Sequence, residues 1–301
     1  MSSVFLTQSP SFSINDAKRI IKDHFHFQKY YKVDALYSDR DQIFRISSKT
    51  EKYILKIFNY AEKESIIQLQ LSAIDYISRN NPKILLPIPV KDFIHIKKDK
   101  KIFMSCLYKY IEGDFLYKKK LNLNQYHKMG EFIGQISTAL NGFQNSGSKR
   151  VFEWDIQDLT LIYKRLNYIK SKTNQETVSY FLAQYENNVV PHVANLRKSV
   201  IHNDGNDHNI LINSKDQRMG IIDFGDMVYS FQALEPAVCM AYIALEKKDT
   251  LTKMSSFLRG YQSCFPLLKN ELQCIIYMIC IRLCLTVSMA AWRKTIFPKT
   301  V

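Results

Sequence analysis

The stretch VIHNDGNDHNILIN, residues 200–213, decides how this chain is interpreted. It places Asp204 two residues after a histidine and Asn209 five residues after Asp204, between two apolar runs. Asn, Asp and Gly are ordinary turn residues, so one interpretation is a polar surface loop that joins two short strands. The alternative is a site that holds a metal ion and a phosphate group.

A second motif, GIIDFGD at residues 220–226, favours the alternative. The apolar runs beside Asp204, Asn209 and Asp223 each predict a short strand, so these side chains fall at strand ends, where they can converge. Asn209 and Asp223 offer the oxygen ligands that Mg²⁺ prefers, which leaves Asp204 to accept a hydroxyl proton. The protein-kinase catalytic loop, H-R-D-x-x-x-x-N followed by D-F-G, has the same order, with Asn203 here in place of the arginine.

The apolar pattern changes character along the chain. The first part predicts a helix, a meander of three strands, a second helix and a hairpin about a lysine-rich turn, at residues 14–27, 33–58, 61–79 and 91–111. The later part predicts helices, interrupted only by the short strands around the opening stretch, at residues 124–143, 155–170 and 174–196.

These elements predict an α+β fold of two lobes. We expect a small antiparallel β-rich lobe at residues 1–112 and a larger, mostly helical lobe at residues 113–301, with the boundary near Gly113. The chain has 301 residues and 46% hydrophobic content, which is enough for one large or two modest domains. The cleft between two such lobes is a favoured ligand site.

Charge and cysteine usage limit the possible partners. The net charge of +14 is spread along the chain, so we predict no nucleic-acid binding. The six cysteines lie in apolar segments without a C-x-x-C pair, which indicates reduced thiols. The first residues lack the pattern of a secretory signal, so we expect a cytoplasmic location. Residues 274–292 are long enough to span a membrane but contain Arg282, so we predict a buried helix whose arginine reaches a carboxylate or water.

Lys56 provides an independent indication of a phosphate site. In YILKIF it lies on the same strand face as Ile54 and Phe58, where an ammonium group needs an anionic partner. A nucleotide phosphate would be that partner, and the alternative is an edge-strand lysine that extends to water. The protein residue that pairs with Lys56 stays open between three candidates in the following segment, Glu62, Glu64 and Gln70.

The loop before Lys56 differs from that of protein kinases. No glycine-rich loop is present; instead SDRDQIF, residues 38–44, joins the first two strands. It offers Ser38, Arg40 and Gln42 as hydrogen-bond donors near the phosphates, unless it is a simple surface turn. This difference, together with the lack of an A-P-E string after DFG, argues against a protein kinase.

The ordered motifs resemble those of the aminoglycoside phosphotransferase-like kinases of small molecules, and within them the hydroxylysine kinase branch. The resemblance covers nearly the whole chain, through SDRDQIF, YILKIF, YKYIEG, MGEFIGQISTALNGF, EWDIQDL, VIHNDGNDHNILI, GIIDFGDMVYS and ELQCIIYMICIRLCLTVSMAAWR. It implies an α+β, protein-kinase-like fold of two lobes. It also implies Mg²⁺-dependent transfer of a γ-phosphoryl group from GTP or ATP, in this branch GTP, to the side-chain hydroxyl of 5-hydroxylysine. In two respects the chain departs from its relatives: Gln70 stands where kinases have a glutamate, and the sequence stops at FPKTV where more helix is expected.

The resemblance also implies a role for each matching position. Asp204 is the expected catalytic base, Asn209 and Asp223 are the expected magnesium ligands, and Lys56 is expected to clamp a phosphate. His202 is expected to orient the loop. The backbone of Lys109, Tyr110 and Ile111 is the expected nucleobase hinge. Candidates for the acceptor pocket are residues that can hold ammonium groups or that belong to the branch motifs, namely Trp154, Asp155, Asp207, Asp226 and Glu235.

Two alternatives remain beside the leading one, a hydroxylysine kinase. The acceptor could be another hydroxyl compound, such as homoserine, choline or an aminoglycoside. The chain could also be a pseudokinase that only binds nucleotide, and the missing carboxy-terminal helix is the best argument for it. The intact set of Lys56, Asp204, Asn209 and Asp223 favours catalysis. The sequence does not determine the oligomeric state.

Overall fold

A sheet of five antiparallel strands forms the N-terminal part of the chain. The computed structural model describes residues 3–26, 31–245 and 248–297. The strands are β1 (Lys32–Leu36), β2 (Gln42–Ser47), β3 (Lys52–Ile57), β4 (Ile94–Lys98) and β5 (Lys101–Lys109), in the order β1-β2-β3-β5-β4. The predicted meander and hairpin therefore both form. Asp99 and Lys100 connect β4 to β5 with positive φ angles of 48° and 63°, which matches the right-handed twist of the strands.

Two helices cover the two faces of this sheet. Helix α1 (Ile14–Phe25) begins at a capping box between Ser13 and Asp16 and packs its apolar side on β2, β3 and β5. Helix α2 (Glu64–Asn80) packs on the opposite face, where its core joins that of the C-terminal part. The predicted last residue of the first helix, Phe27, lies outside the described residues.

The C-terminal part is mostly helical, as predicted. Its helices are α3 (Leu123–Ala139), α4 (Thr160–Arg165), α5 (Lys172–Asn188), α6 (Leu234–Ala244), α7 (Thr250–Cys264) and α8 (Lys269–Ile296). Helices α3 and α7 touch through glycines: a Cβ on Gly130 would lie 1.9 Å from the Phe257 carbonyl oxygen, and one on Gly260 would lie 1.9 Å from that of His127. Only glycine at both positions permits this backbone approach.

Two predicted helices are shorter than expected. The prediction at 155–170 corresponds to α4 and a 3₁₀ turn, Leu166–Tyr168. The prediction at 174–196 ends at Asn188 and continues as a 3₁₀ helix, Val190–Asn195, that contains Pro191. Proline lacks the backbone N–H that a continuing α-helix needs, which accounts for the second difference.

Five short strands interrupt the helices and position the sequence motifs. Strands β7 (Lys198–Ile201) and β10 (Val228–Phe231) pair with each other, and β8 (Ile210–Ile212) pairs with β6 (Asp114–Phe115) and β9 (Met219–Ile221). Leu85, which follows α2, bonds to both ends of β9 through its N–H and carbonyl groups. The α+β, kinase-like fold is thus confirmed, whereas the division of the chain between residues 112 and 113 stays a prediction.

Helix α8 is long and apolar, and 56% of its most apolar stretch of 18 residues is buried inside the protein. It packs against α4, α5 and α6, and its buried residues include the charged Glu271 and Arg282. By length and composition alone this helix could cross a membrane, but core helices pass the same test. Arg282 reaches the Asp204 carboxylate, as expected for a helix packed in the protein core.

Two ion pairs of α8 predict losses of stability that differ in size. The fully buried Glu271 carboxylate accepts hydrogen bonds from Arg197 Nε at 2.9 Å and from the Leu268 N–H at 2.8 Å. We expect Glu271→Ala to lower the free energy of unfolding by about 3 kcal/mol, because it removes a fully buried carboxylate together with its hydrogen bonds to Arg197 and to the start of α8. The half-exposed pair of Arg293 with Asp39 provides a matched control, and Asp39→Ala should cost less than about 1 kcal/mol. Urea unfolding followed by circular dichroism measures both, and equal losses would contradict the assignment.

Candidate active site

The residues of the two motifs converge at one place. Asp204 follows β7, Asn209 directly precedes β8, and Asp223 lies two residues beyond the end of β9. The Asn209 side-chain amide donates to Asp204 Oδ2 at 2.6 Å and to the Asp204 carbonyl oxygen at 2.9 Å. From the N-terminal sheet, Lys56 Nζ lies 3.2 Å from Asp223 Oδ1. The site therefore lies where the β-rich and helical parts meet, as the strand-end prediction requires.

Lys56 is buried between two carboxylates. Its side chain comes from β3, only 9% of the residue is exposed, and Nζ lies 3.0 Å from Asp41 Oδ2 as well as near Asp223. Burial disfavours the ammonium group, but the carboxylates of Asp223 and Asp41 outweigh burial and raise the pKa of Lys56. The Lys56 ammonium in turn holds the pKa of Asp223 well below its usual range. Lys56 and Asp223 are therefore both charged at neutral pH, and the alternative of a lysine that extends to water is wrong.

The partner of Lys56 is none of the three residues considered from the sequence. Glu64 lies 3.7 Å from His95, and Gln70 is buried in α2, while the pKa of Glu62 is raised by its own burial. The observed partner, Asp41, also accepts the Asn59 N–H at 2.9 Å. Asp41 lies in the SDRDQIF loop, residues 38–44, directly after Arg40. Nothing local in the sequence indicates that it pairs with Lys56.

The loop between β1 and β2 contacts three other segments of the chain. Arg40 Nη1 lies 2.8 Å from Asp226 Oδ1, and the attraction of that carboxylate outweighs burial and raises the pKa of Arg40. Asp39 forms a two-pronged pair with Arg293 of α8, at 2.7 and 2.8 Å. Arg40 therefore lies beside the Lys56 and Asp223 pair. This is the place expected for a residue that donates hydrogen bonds to phosphate oxygens.

Gln42 does not face this site, and the prediction that it is a phosphate donor is wrong. Its amide nitrogen donates to the Phe12 carbonyl oxygen at 2.8 Å, and its amide oxygen accepts the Phe12 N–H at 2.7 Å. Both polar atoms thus hold the segment before α1 against β2. Ser38 is partly exposed in the same loop as Arg40, and its role stays a prediction.

Asp204 is held by three side chains. Asn206 donates to its Oδ1 at 2.8 Å, Asn209 donates to its Oδ2, and Arg282 Nη2 lies 3.7 Å from Oδ1. Burial raises the pKa of Asp204, the charge of Asp226 adds to this, and Arg282 opposes it. The carboxylate therefore has a fixed orientation in a site where proton uptake is easier than in water.

His202 joins the catalytic loop to the strand that carries Asp223. Its Nδ1 accepts the Asp204 N–H at 3.3 Å, and its Nε2 lies 3.2 Å from the Ile222 carbonyl oxygen. Its ring packs edge-on against Phe224, with 4.8 Å between centroids. Burial lowers the pKa of His202 to about 4, so the ring is neutral, and a proton on Nε2 satisfies both contacts. This geometry is that of a structural orienter.

Asn203 occupies the position of the kinase arginine. Its φ of 64° is in the left-handed region, which Asn adopts more readily than most residues. Its side-chain amide donates to the Asp226 carbonyl oxygen at 3.3 Å and so ties the catalytic loop to the DFGD segment.

Most acceptor candidates already have protein partners. Asp155 accepts from Ser230 Oγ at 2.6 Å and from Gln157 Nε2 at 2.8 Å, while Asp226 pairs with Arg40. Asp207 lies beside His208 at 4.0 Å. The Trp154 ring lies under the Arg282 guanidinium, 4.9 Å away. Asp155 and Asp226 could therefore contact an acceptor only by giving up these partners.

The prediction that Glu235 belongs to the acceptor pocket is wrong, because its carboxylate is buried and bonded to the catalytic loop. It is 1% exposed and accepts the backbone N–H groups of His202 and Asn203 with its Oε2, at 2.6 and 3.4 Å. Burial raises its pKa to about 7. Glu235 supports the catalytic loop from beneath, because it satisfies donors that the loop would otherwise leave unpaired.

The expected hinge is partly engaged within the protein. The Lys109 N–H bonds to the Ile88 carbonyl oxygen at 2.8 Å, and the Tyr110 N–H bonds to that of Lys52 at 3.2 Å. These two donors extend the sheet, so a role for this segment in nucleobase binding narrows to its carbonyl groups and to Ile111. That role stays a prediction.

Asn209 and Asp223 have the chemistry of a magnesium site. The Asn209 amide nitrogen is bonded to Asp204, which leaves its Oδ1 oxygen for a cation, and Asp223 is ionised and partly exposed. Mg²⁺ takes few protein oxygens and completes its coordination with water and substrate phosphates, so the pair fits this ion. Their assignment as ligands stays a prediction.

Comparison with known proteins identifies the family. A model of the phosphotransferase enzyme family matches residues 33–262, more than half of the chain. The chain belongs to the phosphotransferase enzyme family. This phosphotransferase is 24% identical to hydroxylysine kinase of Mus musculus over 325 residues, which cover 96% of the chain and 85% of that protein. It therefore acts on a hydroxyl group, as the sequence predicted.

Solved structures share the fold of the phosphotransferase. An amicoumacin kinase in complex with AMP-PNP, Ca²⁺ and Ami has a TM-score of 0.69 at 18% identity, covering 86% of this chain and 80% of that one. The GDP complex of an aminoglycoside 2'-phosphotransferase has a TM-score of 0.62 at 13% identity, covering 94% and 100%. These similarities support the two-part kinase fold.

Several residues of the phosphotransferase site were missed in the sequence. Besides Asp41, they are Asn206, whose amide holds Asp204, and Arg150, which donates to the carbonyl oxygens of Gly225 and Met227 at 2.7 and 3.1 Å. Asn206 lies within the opening stretch, so its position was the available signal. Arg150 follows α3 in an irregular segment, where no periodicity indicates which way a side chain faces.

The neutral state of His202 predicts a pH dependence of stability. Its pKa is about 4 in the folded phosphotransferase and 6.5 ordinarily, so between these values the unfolded chain binds a proton that the folded chain does not. Stability contributed by His202 is therefore lost as the pH falls from 6.5 to 4. We expect the difference in unfolding free energy between wild type and His202→Gln to shrink over this range, since the raised carboxylate pKa values of Asp204 and Glu235 affect both proteins. Urea unfolding at several pH values measures this, and a constant difference would reject a buried neutral histidine.

Proposed function

We propose that this phosphotransferase transfers the γ-phosphoryl group of GTP, in preference to ATP, to the side-chain hydroxyl of 5-hydroxylysine. The observation that carries the kinase assignment is that two pairs of residues lie beside each other. The pair of Lys56 with Asp223 can hold phosphates, and the pair of Asp204 with Asn209 can direct a hydroxyl group. The choice of acceptor is supported by the hydroxylysine kinase of Mus musculus, which aligns over nearly the whole chain. The GTP preference has only the resemblance of the sequence motifs in its favour.

Each residue in the proposed reaction acts from its observed position. Asp204 accepts the proton of the acceptor hydroxyl, whose oxygen forms the new bond to phosphorus while the bond to the leaving nucleoside diphosphate breaks. Lys56 and Arg40 hold phosphate oxygens. Asn209 and Asp223 hold Mg²⁺, which when bound neutralises charge on the phosphates. Asn206 and Asn209 keep the Asp204 carboxylate oriented toward the acceptor.

The acceptor-binding residues that we retain are Trp154 and Asp207. Both lie beside the catalytic loop, and Asp207 brings a carboxylate that could hold an acceptor ammonium group. We further propose a cytoplasmic location, with nucleotide and a small amino-hydroxy compound as binding partners and neither nucleic acid nor membrane among them.

An acceptor panel tests the proposed function. We expect nucleoside diphosphate release to be fastest, as kcat/KM, with 5-hydroxylysine and GTP, among 5-hydroxylysine, homoserine, choline and an aminoglycoside, each with GTP and with ATP. Asp204→Asn should lower transfer by about 10² to 10⁴ while nucleotide affinity is kept. Asp216→Asn, in the exposed turn between β8 and β9, is the matched control and should have no effect.

The outcomes of this panel separate the alternatives. A higher kcat/KM with homoserine, choline or the aminoglycoside would replace the proposed acceptor. Tight nucleotide binding without turnover of any acceptor would favour the pseudokinase. Near wild-type turnover by Asp204→Asn would reject the assignment of the base.

The two metal-ligand candidates predict different responses to substitution. We expect Asp223→Asn to weaken Mg²⁺-dependent nucleotide binding more than Asn209→Asp does, because the first removes a negative charge from the ion and the second adds one. Titrations of nucleotide affinity against Mg²⁺ concentration measure both. Equal losses would contradict the separate roles.

A further inference from the structure

Arg282 of α8 is a buried cation beside the proposed base. It is 2% exposed, although it comes from the middle of a long, apolar helix. Its Nη1 donates to the Trp154 carbonyl oxygen at 2.7 Å, and its guanidinium lies over the Trp154 ring. Its Nη2 lies 3.7 Å from Asp204 Oδ1. The guanidinium thus has neutral partners on two sides and the Asp204 carboxylate on the third.

Burial of a guanidinium is costly unless a negative charge compensates it. The carboxylate with which Arg282 forms an ion pair among the described residues is Asp204. A second buried arginine, Arg165 of α4, is equally shielded but contacts the ring of Trp292 at 4.1 Å and the sulfur of Met289. Packing alone can therefore hold an arginine in this core, and the contact of Arg282 with the catalytic loop is a separate property.

We propose that Arg282 is a positioning residue for phosphoryl transfer, which acts through Asp204 and not on the substrates. At 3.7 Å the contact attracts the carboxylate without occupying the short hydrogen-bonding position that the acceptor hydroxyl needs. Together with Asn206 on Oδ1 and Asn209 on Oδ2, it fixes the plane of the carboxylate. The Trp154 carbonyl and ring fix the guanidinium in turn, so α8 and the segment before α4 jointly determine where the base points.

This role differs from a merely structural one in what it changes. Loss of a positioning charge should lower kcat with little effect on nucleotide binding, because Arg282, within the described part of the chain, contacts Asp204 and Trp154 and forms no ion pair with the Lys56 and Asp223 group. A group displaced by about 1 Å can cost on the order of 10²-fold in rate. A purely structural arginine would instead alter stability, and its effect on rate would not depend on whether Asp204 is a carboxylate.

The test compares three substitutions at two positions and rests on the proposed function for its kinetic part. Arg282→Met removes the charge and keeps most of the length, Arg282→Lys keeps the charge, and Arg165→Met controls for loss of a buried arginine elsewhere. We expect Arg282→Met to lower kcat by about 10- to 100-fold with nucleotide KM changed less than about twofold, and Arg282→Lys to recover part of the loss. Arg165→Met should leave kcat within about threefold of wild type.

A double-mutant cycle with Asp204→Asn shows whether Arg282 acts through Asp204. We expect Arg282→Met to cause less than about a threefold further loss of kcat when Asp204 is already Asn, because the group that it positions is gone. Equal fold-losses in both backgrounds, or a normal kcat for a folded Arg282→Met protein, would overturn the proposal. So would parallel losses in Arg282→Met and Arg165→Met.

The same cycle in urea unfolding needs no acceptor. We expect a coupling between positions 204 and 282 in the free energy of unfolding, and additive effects would overturn the proposal. Coupling in unfolding together with no turnover of any acceptor by wild type would leave the contact supported and reject the proposed function, so the two failures are distinguishable.

Discussion

The arrangement of the site depends on the buried ammonium group of Lys56. A buried lysine is stable only with negative partners, and here one comes from the loop before β2 and the other from the end of β9. Asp41, Lys56 and Asp223 together carry one surplus negative charge, which suits a site that must also bind a cation. The N-terminal sheet and the catalytic segments are thereby brought into contact by electrostatics as well as by the shared core around α2.

The sequence predicted the parts of this site that depend on local pattern. Asp204, Asn209 and Asp223 each lie beside a short apolar run, and such runs become strands whose ends are predictable from neighbours in sequence. The choice of Asp41 as the partner of Lys56 was not predictable in this way, because it depends on how the loop before β2 lies against strand β3. The prediction that Gln42 donates to phosphates was wrong for a related reason. Its side-chain amide bonds to the segment before α1, and no periodicity of the sequence indicates this contact.

The acceptor side shows that residue type does not determine availability. Asp155, Asp226 and Glu235 were chosen because carboxylates can hold ammonium groups, yet each satisfies donors of the protein itself. Glu235 is the clearest case, since it stabilises the backbone turn that presents Asp204. A carboxylate beside a catalytic loop is as useful for building the loop as for binding a ligand, and only the three-dimensional structure distinguishes the two uses.

The loop between β1 and β2 carries three consecutive charges of alternating sign, each matched by an opposite charge from a different part of the chain. Asp39 meets Arg293, Arg40 meets Asp226, and Asp41 meets Lys56. Each charge of the loop must reach its own partner, so the spacing of the three charges matters more than any one of them. Insertion or deletion of a single residue here would set like charges against each other at neighbouring contacts, so natural variation in this loop should proceed by substitution and not by change of length.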